Sequence, residues 1–153
     1  MQLRRLTADA VAFEARAQIE KYLSLGGALL HCDGHHHIHN RLPIAYIVLP
    51  ILKEYGFRSV RNRYTSLAMF PRGAEQKARN YIFGQLVKKY GFSTTELFGG
   101  WCKATIEALS RFESAEIMVH PNYDAVGRLV DVQDWKFGDG PELSKLRDVV
   151  NED

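Results

Sequence analysis

The chain has 153 residues, 46% of them hydrophobic and 25% charged, with a formal net charge of +2. That is the size and composition of one ordinary globular domain, able to bury a core without disulfides, and it excludes disordered and fibrous classes. So small a charge gives no argument for nucleic acid or a membrane surface as partner. Cys32 and Cys102 are the only cysteines, and neither belongs to a C-x-x-C pair, so a reducing cytoplasmic setting is expected. No apolar run approaches the roughly 20 residues that span a bilayer. The N-terminus is charged and leads into an amphipathic stretch, where a signal peptide would have an apolar core.

Thr7 to Leu25 spaces its apolar residues as a helix does and ends at Gly26-Gly27. Ala28 to Asp33 then reads as a short strand buried on both faces, the pattern of a parallel sheet. Pro43 suits the first turn of a helix over Ile44 to Tyr55, stopped by Gly56, with Pro50 expected to kink or break it. Phe57 to Arg61 reads as a strand, Asn62 to Gly73 as looser chain, and Ala74 to Tyr90 as a helix stopped by Gly91. A strand is expected near Ser93 to Phe98, a helix over Lys103 to Phe112, a strand over Ala115 to Val119 that delivers His120-Pro121, and a final helix over Pro141 to Val150. Helices alternating with short apolar strands predict an α/β fold with parallel strands, in one domain over residues 1–153. Functional groups in such folds gather at the C-terminal ends of strands, where the histidine-rich stretch, Arg61 and His120 all fall.

Five of the six histidines lie between His31 and His39, directly after Leu29-Leu30. Imidazole is the commonest protein ligand for zinc-like metals, so this stretch is read as a divalent-metal site, with His35 as the ligand. Asp33 is close enough to be a ligand or to orient a ligating ring, and His37 and His39 are expected to support the site or meet substrate. A solvated polar loop is the competing reading. Arg61 suits an anionic or oxygen-bearing substrate group, or else a surface salt bridge. Pro121 biases His120 toward an extended conformation, where it can serve as a general acid. Trp101 and Trp135, near glycine-containing loops, are candidates to stack on a sugar ring.

Three stretches taken together resemble the YdjC-like (ChbG/HpnK) carbohydrate deacetylases. They are His31-x-Asp33-Gly34-His35-His36-His37-Ile38-His39-x-x-x-Pro43, Tyr55-Gly56-Phe57-Arg58-Ser59-Val60-Arg61, and Glu116-Ile117-Met118-Val119-His120-Pro121. Gly91-Phe92-Ser93 and Phe98-Gly99 resemble the intervening part of the family. The likeness covers nearly all of this chain and only the C-terminal part of the family. It implies a partial (β/α) barrel and a divalent metal ion, zinc or magnesium. It also implies an N-acetylated oligosaccharide substrate, His35 as a metal ligand, and His120 as the proton donor to the leaving amine. The Asp-Asp pair that opens the family pattern occurs nowhere in the chain. The expectation is therefore a truncated or inactive fragment, or a chain whose barrel is completed by a second polypeptide or by self-association. Two other readings stay open: a catalytically dead sugar-binding module, and a metal-dependent hydrolase of amidohydrolase or PHP type, which also opens with His-x-His.

Overall fold

The computed structural model describes residues 7–28, 31–62 and 73–131. They form a mixed α/β structure with parallel strand pairs, in two compact units that divide near Thr94.

The first unit begins with α1 (Ala8–Ser24). The Thr7 side chain accepts a hydrogen bond from the Ala10 N–H at 3.2 Å, meeting one of the donors that a helix start leaves unsatisfied. The Tyr22 hydroxyl donates to the Ala28 carbonyl and accepts from the Ala28 N–H, both at 3.1 Å, which closes the turn out of α1. Strand β1 (His31–Cys32) pairs in parallel with β2 (Ser59–Val60), in the register His31 with Ser59 and Cys32 with Val60. Ser93 makes a further parallel bridge to Ser59, so β2 has neighbours on both sides. The expected strand over 28–33 is shorter among the described residues and is not buried on both faces. His31 is exposed and Cys32 half-buried, and β2 is the strand beside β1 among the described residues.

Helix α2 (Leu42–Glu54) starts with Pro43 in its first turn and continues through Pro50 without a break. Proline costs an internal helix about 3 kcal/mol. Burial of Leu49, Ile51 and Leu52 around it acts in the opposite direction, at about 1.5–3 kcal/mol for each large side chain. Helix α3 (Ala74–Tyr90) has the predicted bounds and is capped by Gly91 in the left-handed region at φ 71°. The core of this unit joins Ile19 of α1, Leu49 and Leu52 of α2, Val60 of β2, and Phe83 and Val87 of α3.

The second unit holds β3 (Leu97–Gly100), parallel to β4 (Ala115–Met118), with Leu97 opposite Ala115 and Gly100 opposite Met118. Between them run α4 (Lys103–Ala108) and a 3-10 turn (Leu109–Arg111) that takes the place of the last helical turn expected up to Phe112. The strand expected over 93–98 lies further along, at Leu97–Gly100. Two strands were not expected: β5 (Pro121–Tyr123) and β6 (Leu129–Asp131) form an antiparallel hairpin directly after His120. Trp101 is buried, so it packs inside its unit and does not present a face for a sugar. Trp135 and the helix expected over 141–150 lie outside the described residues. Among the described residues no helix is long and apolar enough to cross a membrane.

Candidate functional site

The parallel register that sets Cys32 beside Val60 brings the next residue of each strand, Asp33 and Arg61, to the same C-terminal edge. Arg61 N–H donates to the Cys32 carbonyl at 3.0 Å, extending the ladder by one step. Its guanidinium Nη2 lies 2.6 Å from Asp33 Oδ2, with Arg61 12% exposed and Asp33 40% exposed. Asp33 is thus engaged by a permanent cation. Burial, and then the charge of Asp33, push the Cys32 thiol up to about 11, so it stays protonated at neutral pH.

From Asp33 the chain turns through a 3-10 segment (His35–Asn40) that departs from helical geometry at His36 (φ 51°) and His37 (φ 55°). Left-handed backbone costs a side-chain-bearing residue roughly 1–2 kcal/mol, so two in succession must be held in place by what surrounds them. The far end of the turn supplies that hold. His39, 3% exposed, donates from Nε2 to the Arg61 carbonyl at 2.8 Å, and Asn40 Nδ2 donates to the same oxygen at 3.0 Å. The His39 bond places a proton on Nε2. A β-carbon on Gly34 would stand 2.8 Å from His39 Nδ1, so glycine is required there for the turn to close. The His39 ring also meets Phe83 edge-on, with centroids 6.5 Å apart.

His39 is therefore a buried strut that ties the histidine turn to the end of β2. That suits a supporting role and keeps it away from a sugar. His37 is half-buried. His35 is exposed, and its ring lies 4.1 Å from that of His36, tilted by 60°. His31 turns instead to its cross-strand partner, with Nδ1 at 2.9 Å from Ser59 Oγ.

Among the described residues no three His, Cys, Asp or Glu side chains are grouped so as to hold a metal ion. A catalytic zinc takes about three protein ligands. These residues do not fit a complete metal centre by themselves: Asp33 is paired to Arg61, Cys32 is a neutral thiol, and His39 is turned to a backbone carbonyl.

His120 stands in the second unit, two residues past the end of β4. Its backbone N–H donates to Asp131 Oδ1 at 2.7 Å, and its ring Nδ1 lies 3.5 Å from the same oxygen. The His120 side chain is 46% exposed and that of Asp131 is fully buried. Asp131 escaped the sequence reading because it follows His120 by eleven positions. The signal that could have found it is Asp124-Ala125-Val126-Gly127-Arg128, a turn sequence between Tyr123 and Leu129.

Each unit thus sets a histidine and a carboxylate at the C-terminal end of a parallel strand pair, the arrangement of an α/β protein that binds or transforms a ligand at its strand ends. The model of the family described as YdjC-like protein matches residues 1–145, and the chain belongs to that family. A carbohydrate deacetylase of Vibrio cholerae serotype O1 is 31% identical over 122 residues, covering 80% of this chain and 44% of the relative. Carbohydrate deacetylases of Vibrio parahaemolyticus and Brevibacillus brevis are 30% and 31% identical, covering 76% and 75% of this chain. The chain spans 41–44% of the length of these relatives. No solved structure matches it.

Proposed function

We propose that this chain is part of a metal-dependent carbohydrate deacetylase that hydrolyses the acetamide of an N-acetylated sugar such as a chitooligosaccharide. The observation that carries the reading is its family membership, with deacetylase relatives aligned over three quarters or more of the chain. The parallel pairing of β1 with β2, and likewise that of β3 with β4, each with polar groups at the C-terminal end, is the kind of unit from which a (β/α) barrel is built. Water adds to the acetyl carbon and gives its proton to a carboxylate base; as the acyl C–N bond breaks, its electron pair stays on nitrogen, the His120 imidazolium supplies the proton that joins it, and acetate and the free sugar amine leave. Arg61 and Asp33 set the edge from which the histidine turn projects. His37 and His39 hold that turn, and His35 would offer one imidazole to a divalent ion, zinc or magnesium, which would polarise the acetyl carbonyl.

The test is acetate release from N-acetylated chitooligosaccharides, with added zinc or magnesium, by the purified chain combined with a polypeptide that carries the Asp-Asp strand of the family pattern. Release is expected, and His120→Ala should lower it by about 10²–10⁴-fold, the usual contribution of a proton donor. Sugar binding by calorimetry with no acetate released would replace this reading with a binding module. Phosphate released from phosphoesters, with no acetate, would replace it with the amidohydrolase or PHP class.

A further inference from the structure

Asp131 is in an unusual position for a carboxylate. Its side chain is fully buried, and among the described residues Oδ1 serves only His120 and Oδ2 has no hydrogen-bond partner. Taking an ionised carboxylate out of water is costly unless a charge or several donors compensate it, and one backbone N–H does not. Among the described residues the group at hand to supply a charge is the imidazole of His120, at 3.5 Å. The backbone holds the pair together from both sides. Asp131 is in register with Pro121, which has no N–H to give and confines His120 to extended conformations. The Asp131 carboxylate takes the N–H of His120 instead and so comes to lie beside Nδ1 of the same residue.

We propose that Asp131 is the positioning residue of His120: it keeps a proton on Nδ1, fixes the ring, and leaves Nε2 as the nitrogen that exchanges protons with a ligand. An imidazolium held this way gives up its Nε2 proton and returns to the neutral ring with hydrogen on Nδ1, the form the carboxylate favours. For catalysis the inference rests on the deacetylase reading above. For the state of the ring it does not.

The ring-nitrogen chemical shifts of His120, measured by NMR at a pH where the ring is neutral, test it. The native chain is expected to hold the Nδ1–H tautomer. Asp131→Asn keeps an oxygen that can accept the backbone N–H but loses the charge, and should move the ring toward the Nε2–H form. Should that variant fail to fold, the native measurement decides alone. An Nε2–H ring in the native chain, or the same tautomer in both proteins, would overturn the proposal and reduce Asp131 to a backbone cap. If acetate is released, Asp131→Asn should lower kcat by about 10²–10⁴-fold with KM nearly unchanged. If no acetate is released, the deacetylase reading fails while the tautomer still decides the role of Asp131.

Discussion

The two units solve the same problem in opposite ways. Each places a carboxylate and a histidine where parallel strands end, but Asp33 is met by a permanent guanidinium and Asp131 by an imidazole that can lose its charge. A carboxylate paired to arginine faces a cation that keeps its charge. It acts as a fixed girder for the turn that projects His35 and His36. A buried carboxylate beside a histidine sees its partner's charge change with every proton transferred. The difference shows how one residue type serves architecture in one unit and chemistry in the other, according to the partner the fold supplies.

The largest effect that would sharpen this contrast concerns metal. On the proposed function, His35→Ala should weaken zinc or magnesium binding about 100-fold, while His120→Ala should leave it within about 3-fold, as measured by elemental analysis and competition with a chelator. Equal losses in the two variants would erase the division of roles. The girder itself comes next. His39→Ala removes a buried ring and its hydrogen bond to the Arg61 carbonyl, with an expected loss of about 2 kcal/mol in urea unfolding. Asn40 still meets the same oxygen, which keeps the cost from rising further.

Arg61→Ala should cost about 1–2 kcal/mol. That is less than the roughly 3–5 kcal/mol for breaking a fully buried pair, because Asp33 is 40% open to water. A loss below about 0.3 kcal/mol would make the pair an ornament of the surface.

The smallest effect is on thiol chemistry at neutral pH. Cys102 is exposed and should react with a thiol reagent first, whereas Cys32, held up to about 11 by burial, should react only on unfolding. Because the Cys32 value is raised in the folded state, its contribution to stability is present below the unfolded value and falls away as pH climbs toward about 11.

Much of the first unit was legible along the chain because its signals are local. The bounds of α3 follow from helical spacing and from Gly91 as the stop, and Pro43 marks the start of α2. Helix α2 continues through Pro50 because apolar neighbours buried in the core outweigh a local penalty, a balance that no window of sequence contains. The hairpin of β5 and β6 was not read from the sequence because β5 is exposed at all three positions and has no apolar alternation. Its turn is nonetheless written in Asp124, whose Oδ1 accepts from the N–H groups of Val126 and Arg128 at 2.9 Å each.

By itself the sequence determined which chemistry was available: imidazoles clustered after one strand, a lone His120 after another, and the family those motifs resemble. Only tertiary structure decided how each group is used. It paired Asp33 with Arg61, buried His39 as a strut and set Asp131 behind His120. The physical reason is that residue type and spacing govern local backbone preference. The charge state and orientation of a side chain depend on burial and on partners brought from tens of positions away by strand register.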